Sequence, residues 1–288
     1  MKFSINVPIL GEFADTRKIA DLAKEAEDSG WDGVFIWDHI LWDNSRTPIG
    51  DPWTSLAAIA MSTSRVRIGT MLTPLARRRP WMVARQAAAL DHLSGGRLTL
   101  AIGLGGRVDY DFAALGEVVD NRLRAERLDE GLEILNGLWS GEPFHFEGKH
   151  HHISEVIFQP RPLQQPRIPI WIGGKWPHQA PMRRAARWDG ACPEKVEWHL
   201  TPQDWRDILR FIGEQRSSSS PFDAVHPGLL PADPALAVET AHAYQEAGVT
   251  WWTEVVDSHG HPYSDTLTWV NNYADDFRKK VRQGPPRL

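Results

Sequence analysis

The sequence predicts an α/β protein of the (β/α)8 TIM-barrel class, and three observations predict it. Short apolar runs alternate with helix-patterned segments along the chain, the alternation that builds an all-parallel sheet. Eight such runs occur in 288 residues, which favours a closed barrel over an open sheet. One stretch, Arg65 to Gly105, holds a complete unit: an apolar strand, a Thr/Pro/Arg-rich loop, a helix with small residues, a Gly-Gly turn and a second strand ending in glycines.

Taken in order, Phe3 to Pro8 reads as the first strand, and Asp15 to Ser29 as a helix with Ile19, Leu22, Ala23 and Ala26 on one face, stopped by Gly30. Gly33 to Trp37 is a buried-type strand ending at Asp38-His39, two ionisable residues where strand becomes loop. Asp51-Pro52 opens the next helix, Val66 to Leu72 forms the third strand, and the fourth ends in the glycines before Gly106. Asp111 to Ser140 is mainly helical, with Leu128, Leu132, Leu135 and Trp139 in one stripe that Gly141 ends. Residues 143–169, with alternating aromatics and prolines, read as a hairpin and extended arm inserted between helix 4 and strand 5, so that 1–288 forms one domain. Ile170 to Ile172 is then a fifth strand capped by Gly173-Gly174, with part of a helix at Ala180 to Ala186. Gly190 to Cys192 is a sixth strand, Pro202 to Gln215 a helix, Ser217 to Ser220 a polar loop, and Phe222 to His226 a weak seventh strand. Pro234 to Ala247 is a helix, Val249 to Val256 the eighth strand, and Thr266 to Arg282 the last helix.

The right-handed crossover rule puts every strand C-terminus on one face. That face collects Asp38-His39, Thr70 to Arg79, Gly103 to Asp109, Gly173 to Trp176, Pro193 to Lys195 and Glu254, and it is the expected active site. Fourteen Trp residues stand out, and Trp37, Trp42, Trp171, Trp176, Trp251 and Trp252 lie near strand ends, either lining a pocket or filling the core. The net charge of −5, from 32 basic and 37 acidic residues, gives no reason to expect a nucleic-acid partner. Cys192, the lone cysteine, rules out an intrachain disulfide. With neither a secretory h-region after Met1 nor a long apolar segment, no membrane association and a cytoplasmic location are expected.

The segments AEDSGWDGVFIWDH, DPWTSLAAIAMSTSRVRIGTMLTP, LDHLSGGRLTLAIGLG, EILNGLWSGEP with FEGKHHHIS, and PIWIGGK followed by RRAARWDG resemble the luciferase-like monooxygenase family. These (β/α)8 oxidoreductases include bacterial luciferase and enzymes using the deazaflavin coenzyme F420. The resemblance runs from Phe3 to about Gly190. It implies a flavin-type ring in the barrel mouth and, often, a homo-oligomer. Asp38-His39 matches the Asp-His of deazaflavin enzymes, where the His contacts the ring and transfers a proton; the alternative is a structural His39 paired with Asp38. Thr70-Met71 matches the position of a non-prolyl cis peptide behind the ring, and Thr73 a residue beside it. Gly173-Gly174 matches the pair that cradles the cofactor phosphate, and Lys175 and Gly105 join the expected cofactor set.

Arg77, Arg78 and Arg79 read either as a site for an anionic substrate or the deazaflavin's oligoglutamate tail, or as a solvated loop. Trp42, Asp109 and Glu254 complete the expected substrate side. No metal site is expected, since His150-His151-His152 alternate in an extended segment with no Cys nearby. Members acting on sugar phosphates carry Glu after the fourth-strand glycines and an Asn soon after, where this chain has Gly106-Arg107 and Asp109. Glu12 aligns with a catalytic Glu of that group only after a slip of one residue. The expected function is F420-dependent hydride transfer to or from a small organic substrate. The alternatives are an FMN-dependent monooxygenase of the same family, a non-catalytic flavin-binding barrel, and a lyase or isomerase without a redox cofactor.

Overall fold

The computed structural model describes residues 1–43, 46–195, 200–255 and 266–288. Its elements in chain order are β1 (Lys2–Val7), α1 (Thr16–Asp28), β2 (Gly33–Ile36), α2 (Pro52–Ser62), β3 (Arg67–Thr70), β4 (Thr73–Pro74), α3 (Pro80–Ser94), β5 (Leu100–Gly103), α4 (Val108–Asp111) and α5 (Asn121–Trp139). After them come β6 (Phe144–Glu147), β7 (His152–Val156), β8 (Ile170–Trp176), α6 (Gln179–Ala185), β9 (Gly190–Lys195), α7 (Pro202–Gln215), β10 (Asp223–Gly228), α8 (Pro234–Glu246), β11 (Trp251–Val255) and α9 (Thr266–Gln283).

Nine strands form one parallel sheet in the order β3-β2-β1-β11-β10-β9-β8-β5-β4. Its two ends are halves of one barrel position, because β3 and β4 are pieces of a single strand broken at Met71-Leu72. The circle closes where Ile68 N donates to Arg97 O at 3.0 Å and Thr99 N donates to Ile68 O at 2.9 Å. Gly69 makes that closure possible, since a Cβ there would overlap the Thr99 carbonyl. The result is the expected eight-position barrel.

Side-chain parity divides the strands into two faces. Phe3, Ile5 and Val7 pack in the large core between barrel and helices. Ser4 faces inward, its Oγ 2.9 Å from Thr253 Oγ1. Phe35, Ala101, Trp171, Cys192, Val225 and Trp251 fill the interior. The Phe35 ring lies 5.0 Å from Trp171 and 6.3 Å from Trp251, closing the barrel with an aromatic plug. Asp223 accepts both indole N–H groups, at 3.0 and 3.1 Å, so neither buried donor is left unsatisfied. Burial, with Glu194 nearby, pushes the Cys192 thiol up to about 12, which makes it a packing residue and not a nucleophile.

The helices begin where the sequence supplies caps. Asp51 Oδ1 accepts Thr54 N at 2.7 Å with Pro52 in the first turn, and Asp120 Oδ1 accepts Leu123 N at 2.8 Å. The second cap shortens the helix expected from Asp111: α5 begins at Asn121, and α4 is a separate turn. The fifth barrel strand is longer than expected and runs through the glycine pair to Trp176, because Gly173 and Gly174 remain in register with Cys192 and Pro193. The eighth begins at Trp251, and Val256 lies outside the described residues.

The inserted segment forms an antiparallel hairpin of β6 and β7. Glu130 on α5 anchors its turn, accepting Lys149 N at 2.6 Å and His151 N at 3.0 Å. The three histidines face separate carboxylates: His150 lies beside Glu126, His151 beside Glu130 and His152 beside Glu147.

Candidate active site

β2 ends one residue before Trp37, whose N–H still donates to Val7 O at 3.1 Å and so delivers Asp38 and His39 to the C-terminal mouth. His39 Nδ1 lies 2.6 Å from Asp111 Oδ2. Asp111 is fully buried, and its Oδ1 accepts the N–H groups of Ile40 and Leu41 at 2.8 and 2.9 Å. Burial alone would raise the Asp111 carboxyl, but the His39 hydrogen bond and charge, the Leu41 N–H and Arg77 together hold it below the ordinary carboxylate value. An ionised Asp111 accepts from Nδ1–H, which makes Nε2 the imidazole nitrogen able to take or give a proton. Nε2 has no hydrogen-bond partner among the described residues.

Asp38 is therefore not the partner of His39. Its buried carboxylate is gripped by Arg77 Nη2 at 2.9 Å and by Arg78 through Nη2 at 2.7 Å and Nε at 3.1 Å. Arg77 also donates to the Asp38 carbonyl at 2.7 Å, and its Nη1 lies 3.8 Å from Asp111 Oδ1. Burial lowers the Arg77 guanidinium despite Asp38 and Asp111 beside it. The arginine triplet thus divides. Arg77 and Arg78 are already neutralised, and Arg79, exposed at the start of α3, sits over the Trp81 ring.

Trp37 and Trp42 stack at 5.1 Å, and Trp42 meets the His39 ring edge-on at 5.1 Å. Arg107 lies over Trp42 at 4.3 Å and donates to its carbonyl through Nε at 2.8 Å, holding a left-handed φ of 50°. Trp42 Nε1 is buried and unpartnered among the described residues. Asp109 is exposed on α4, while Asp111, two residues on, points into the site. Thr70 and Thr73 are buried and share a hydrogen bond of 2.7 Å across the break between β3 and β4.

The cis peptide is Met71-Leu72, one residue beyond the expected Thr70-Met71. Thr70 still pairs in register with Ile36, and Met71 N donates to Ile36 O at 2.7 Å, so the ladder holds the chain regular up to Met71. The Leu72 side chain takes the space of the Cβ atoms missing from Gly103 and Gly173, and Pro181 that of Gly174. Neither Gly173 nor Gly174 has a positive φ, so the pair forms no anion nest. Gly105 does, at 81°, and lies against Pro74. Lys175 is exposed at the mouth, in register with Glu194. Glu254 faces the opposite way: it is buried outside the barrel, bonded to Lys280, Trp252 Nε1 and Leu230 N, and is not part of the mouth.

A family model described as luciferase-like monooxygenase matches residues 1–204. The chain belongs to the luciferase-like monooxygenase family. An F420-dependent glucose-6-phosphate dehydrogenase of Nakamurella multipartita is 35% identical over 164 residues, 56% of this chain and 47% of that protein. The chain thus spans about half the length of such curated relatives. Among solved structures, an F420-dependent secondary alcohol dehydrogenase in complex with an F420-acetone adduct matches with a TM-score of 0.74 at 16% identity, over 98% of each chain. The coenzyme F420-dependent tetrahydromethanopterin reductase of Methanopyrus kandleri matches with a TM-score of 0.72 at 19% identity, over 94% of this chain and 97% of that one. Both show the same fold.

The mouth of this luciferase-like barrel fits a planar redox ring. The half-buried Trp37 offers ring surface beside His39, whose Nε2 no described residue satisfies, while Trp42 backs it, covered by Trp37 and Arg107 and with its Nε1 buried. Sequence reasoning placed Arg107 on this face without giving it a role, and it missed Asp111. It named Asp109 after the fourth-strand glycines and read Asp111 only as the start of the next helix; which of the two turns inward depends on the path of a four-residue helix.

Proposed function

We propose that this chain is an oxidoreductase that holds a deazaflavin of the F420 class at the barrel mouth and exchanges a hydride with a small organic substrate. The His39–Asp111 pair carries this reading. A bound deazaflavin supplies a carbon that accepts or gives hydride. The protein's part is the accompanying proton: Asp111 fixes Nδ1–H, and His39 Nε2 takes the proton from a substrate hydroxyl or returns it to a carbonyl oxygen. Arg77 and Arg78 hold Asp38 and so fix the loop that carries His39. Trp37 and Trp42 wall the site against water.

The relatives whose names state F420 dependence support the cofactor choice. A cytoplasmic location and a homo-oligomer belong to the same reading; no helix among the described residues is long and apolar enough to cross a membrane. Paired fluorescence titrations with F420 and FMN test the proposal. F420 binding is expected, and His39→Ala should keep that binding while losing about 10²–10⁴ in turnover. Binding of FMN alone would replace the hydride-transfer reading with the oxygenase one, and binding of neither would overturn both.

A further inference from the structure

Asn6 is the penultimate residue of β1 and stands at the C-terminal end of the barrel, in register with Phe35 on one side and Val255 on the other. Its direction follows from parity. Phe3, Ile5 and Val7 face the helices, and Ser4 faces inward onto Thr253, so Asn6 projects into the interior one step above Ser4. Ser4 is satisfied and Asn6 is not. The residue is 7% exposed, and its Oδ1 is buried without a hydrogen-bond partner among the described residues. Beside it lie the apolar rings of the plug, where Phe35 packs on Trp171 and Trp251. A lone carboxamide in such surroundings destabilises the empty protein unless something bound above it completes its hydrogen bonds.

We infer that Asn6 is a cofactor-binding residue whose carboxamide pairs, from the barrel floor, with the N–H/C=O edge of the ring held at the mouth. This rests on the proposed function. The chemistry of the group selects that edge: a carboxamide offers an acceptor and a donor side by side, and a flavin or deazaflavin ring carries an N–H flanked by carbonyls that offers the complement. A neutral pair of this kind also needs no counter-charge at the floor.

Two variants test it, Asn6→Leu and Asn6→Asp, each followed by thermal melting without ligand and by fluorescence titration with F420 and with FMN. Asn6→Leu removes an unpartnered polar group, so its Tm should equal or exceed that of the wild type, while its affinity for the bound ring falls about tenfold or more. Asn6→Asp keeps the shape but loses the donor and adds a charge, and it should bind more weakly as well. Wild-type affinity in both variants would overturn the role of Asn6 and leave the proposed function standing. A lowered Tm in Asn6→Leu with unchanged affinity would assign Asn6 to packing, and overturn the proposal likewise. A wild-type protein that binds neither ring would overturn the proposed function, and the assignment of Asn6 with it.

Discussion

His39 illustrates how much a single residue owes to its partner. Asp111 is fully buried, touches the imidazole at Nδ1 and holds the backbone of Ile40 and Leu41 with its other oxygen. Asp111→Asn keeps the size and loses the charge that fixes the imidazole. We expect turnover to fall about 10²-fold with F420 affinity nearly unchanged, measured by steady-state kinetics alongside titration. The same variant has a pH signature. Because the folded-state value of Asp111 is lowered, the stability it contributes is present above its unfolded value of about 3.9 and is lost as pH falls through the folded one. The Tm difference between wild type and Asp111→Asn should therefore narrow below about pH 4, and a constant gap would show that the carboxylate charge is not the stabilising feature. The position of His39 was legible in the sequence, since a polar pair closing an apolar strand belongs at the barrel mouth. Its partner was not, because Asp111 lies 72 residues away.

At the scale of elements, the pairing of β11 with α9 explains Glu254. Counting along the strand places this residue at the mouth, but parity turns it outward, where Lys280 of α9 meets it. Burial pushes the Glu254 carboxyl above its ordinary value, with Lys280 opposing that shift. Lys280→Met leaves a buried carboxylate without its cation and should cost about 3–5 kcal/mol in urea unfolding at neutral pH. The folded-state shift of the Glu254 carboxyl is opposite in direction to that of Asp111. As pH falls through the raised folded value, Glu254 takes up a proton in the folded state while it is still ionised in the unfolded one, so the deficit should shrink towards pH 5. A deficit that persists there would point to lost packing of the lysine stem instead. The hairpin of β6 and β7 was readable because its prolines and alternating aromatics break the helix/strand rhythm. Its anchorage on Glu130 was not, because Glu130 lies on a helix that precedes it in sequence.

At the scale of the whole molecule, the barrel depends on closure between β3 and the residues leading into β5. Gly69 lets the Thr99 carbonyl approach, and that contact joins the two ends of the nine-strand sheet. Gly69→Ala has an unstrained backbone but no room for its methyl, and it should destabilise the fold by about 3 kcal/mol, read from the chemical denaturation midpoint. An unchanged midpoint would mean that the sheet opens there at no cost. The sequence by itself determined the eight-position barrel and the place of His39 on the face formed by the strand C-termini. These follow from local pattern: the alternation of apolar strands and helices, the handedness of crossovers, and polar residues at strand ends. Only the tertiary structure decided which charges pair: Asp111 with His39, Arg77 and Arg78 with Asp38, and Lys280 with Glu254. A pair is fixed by the side of a strand on which a residue falls and by the path of the loop that brings its partner. Neither is written in local periodicity.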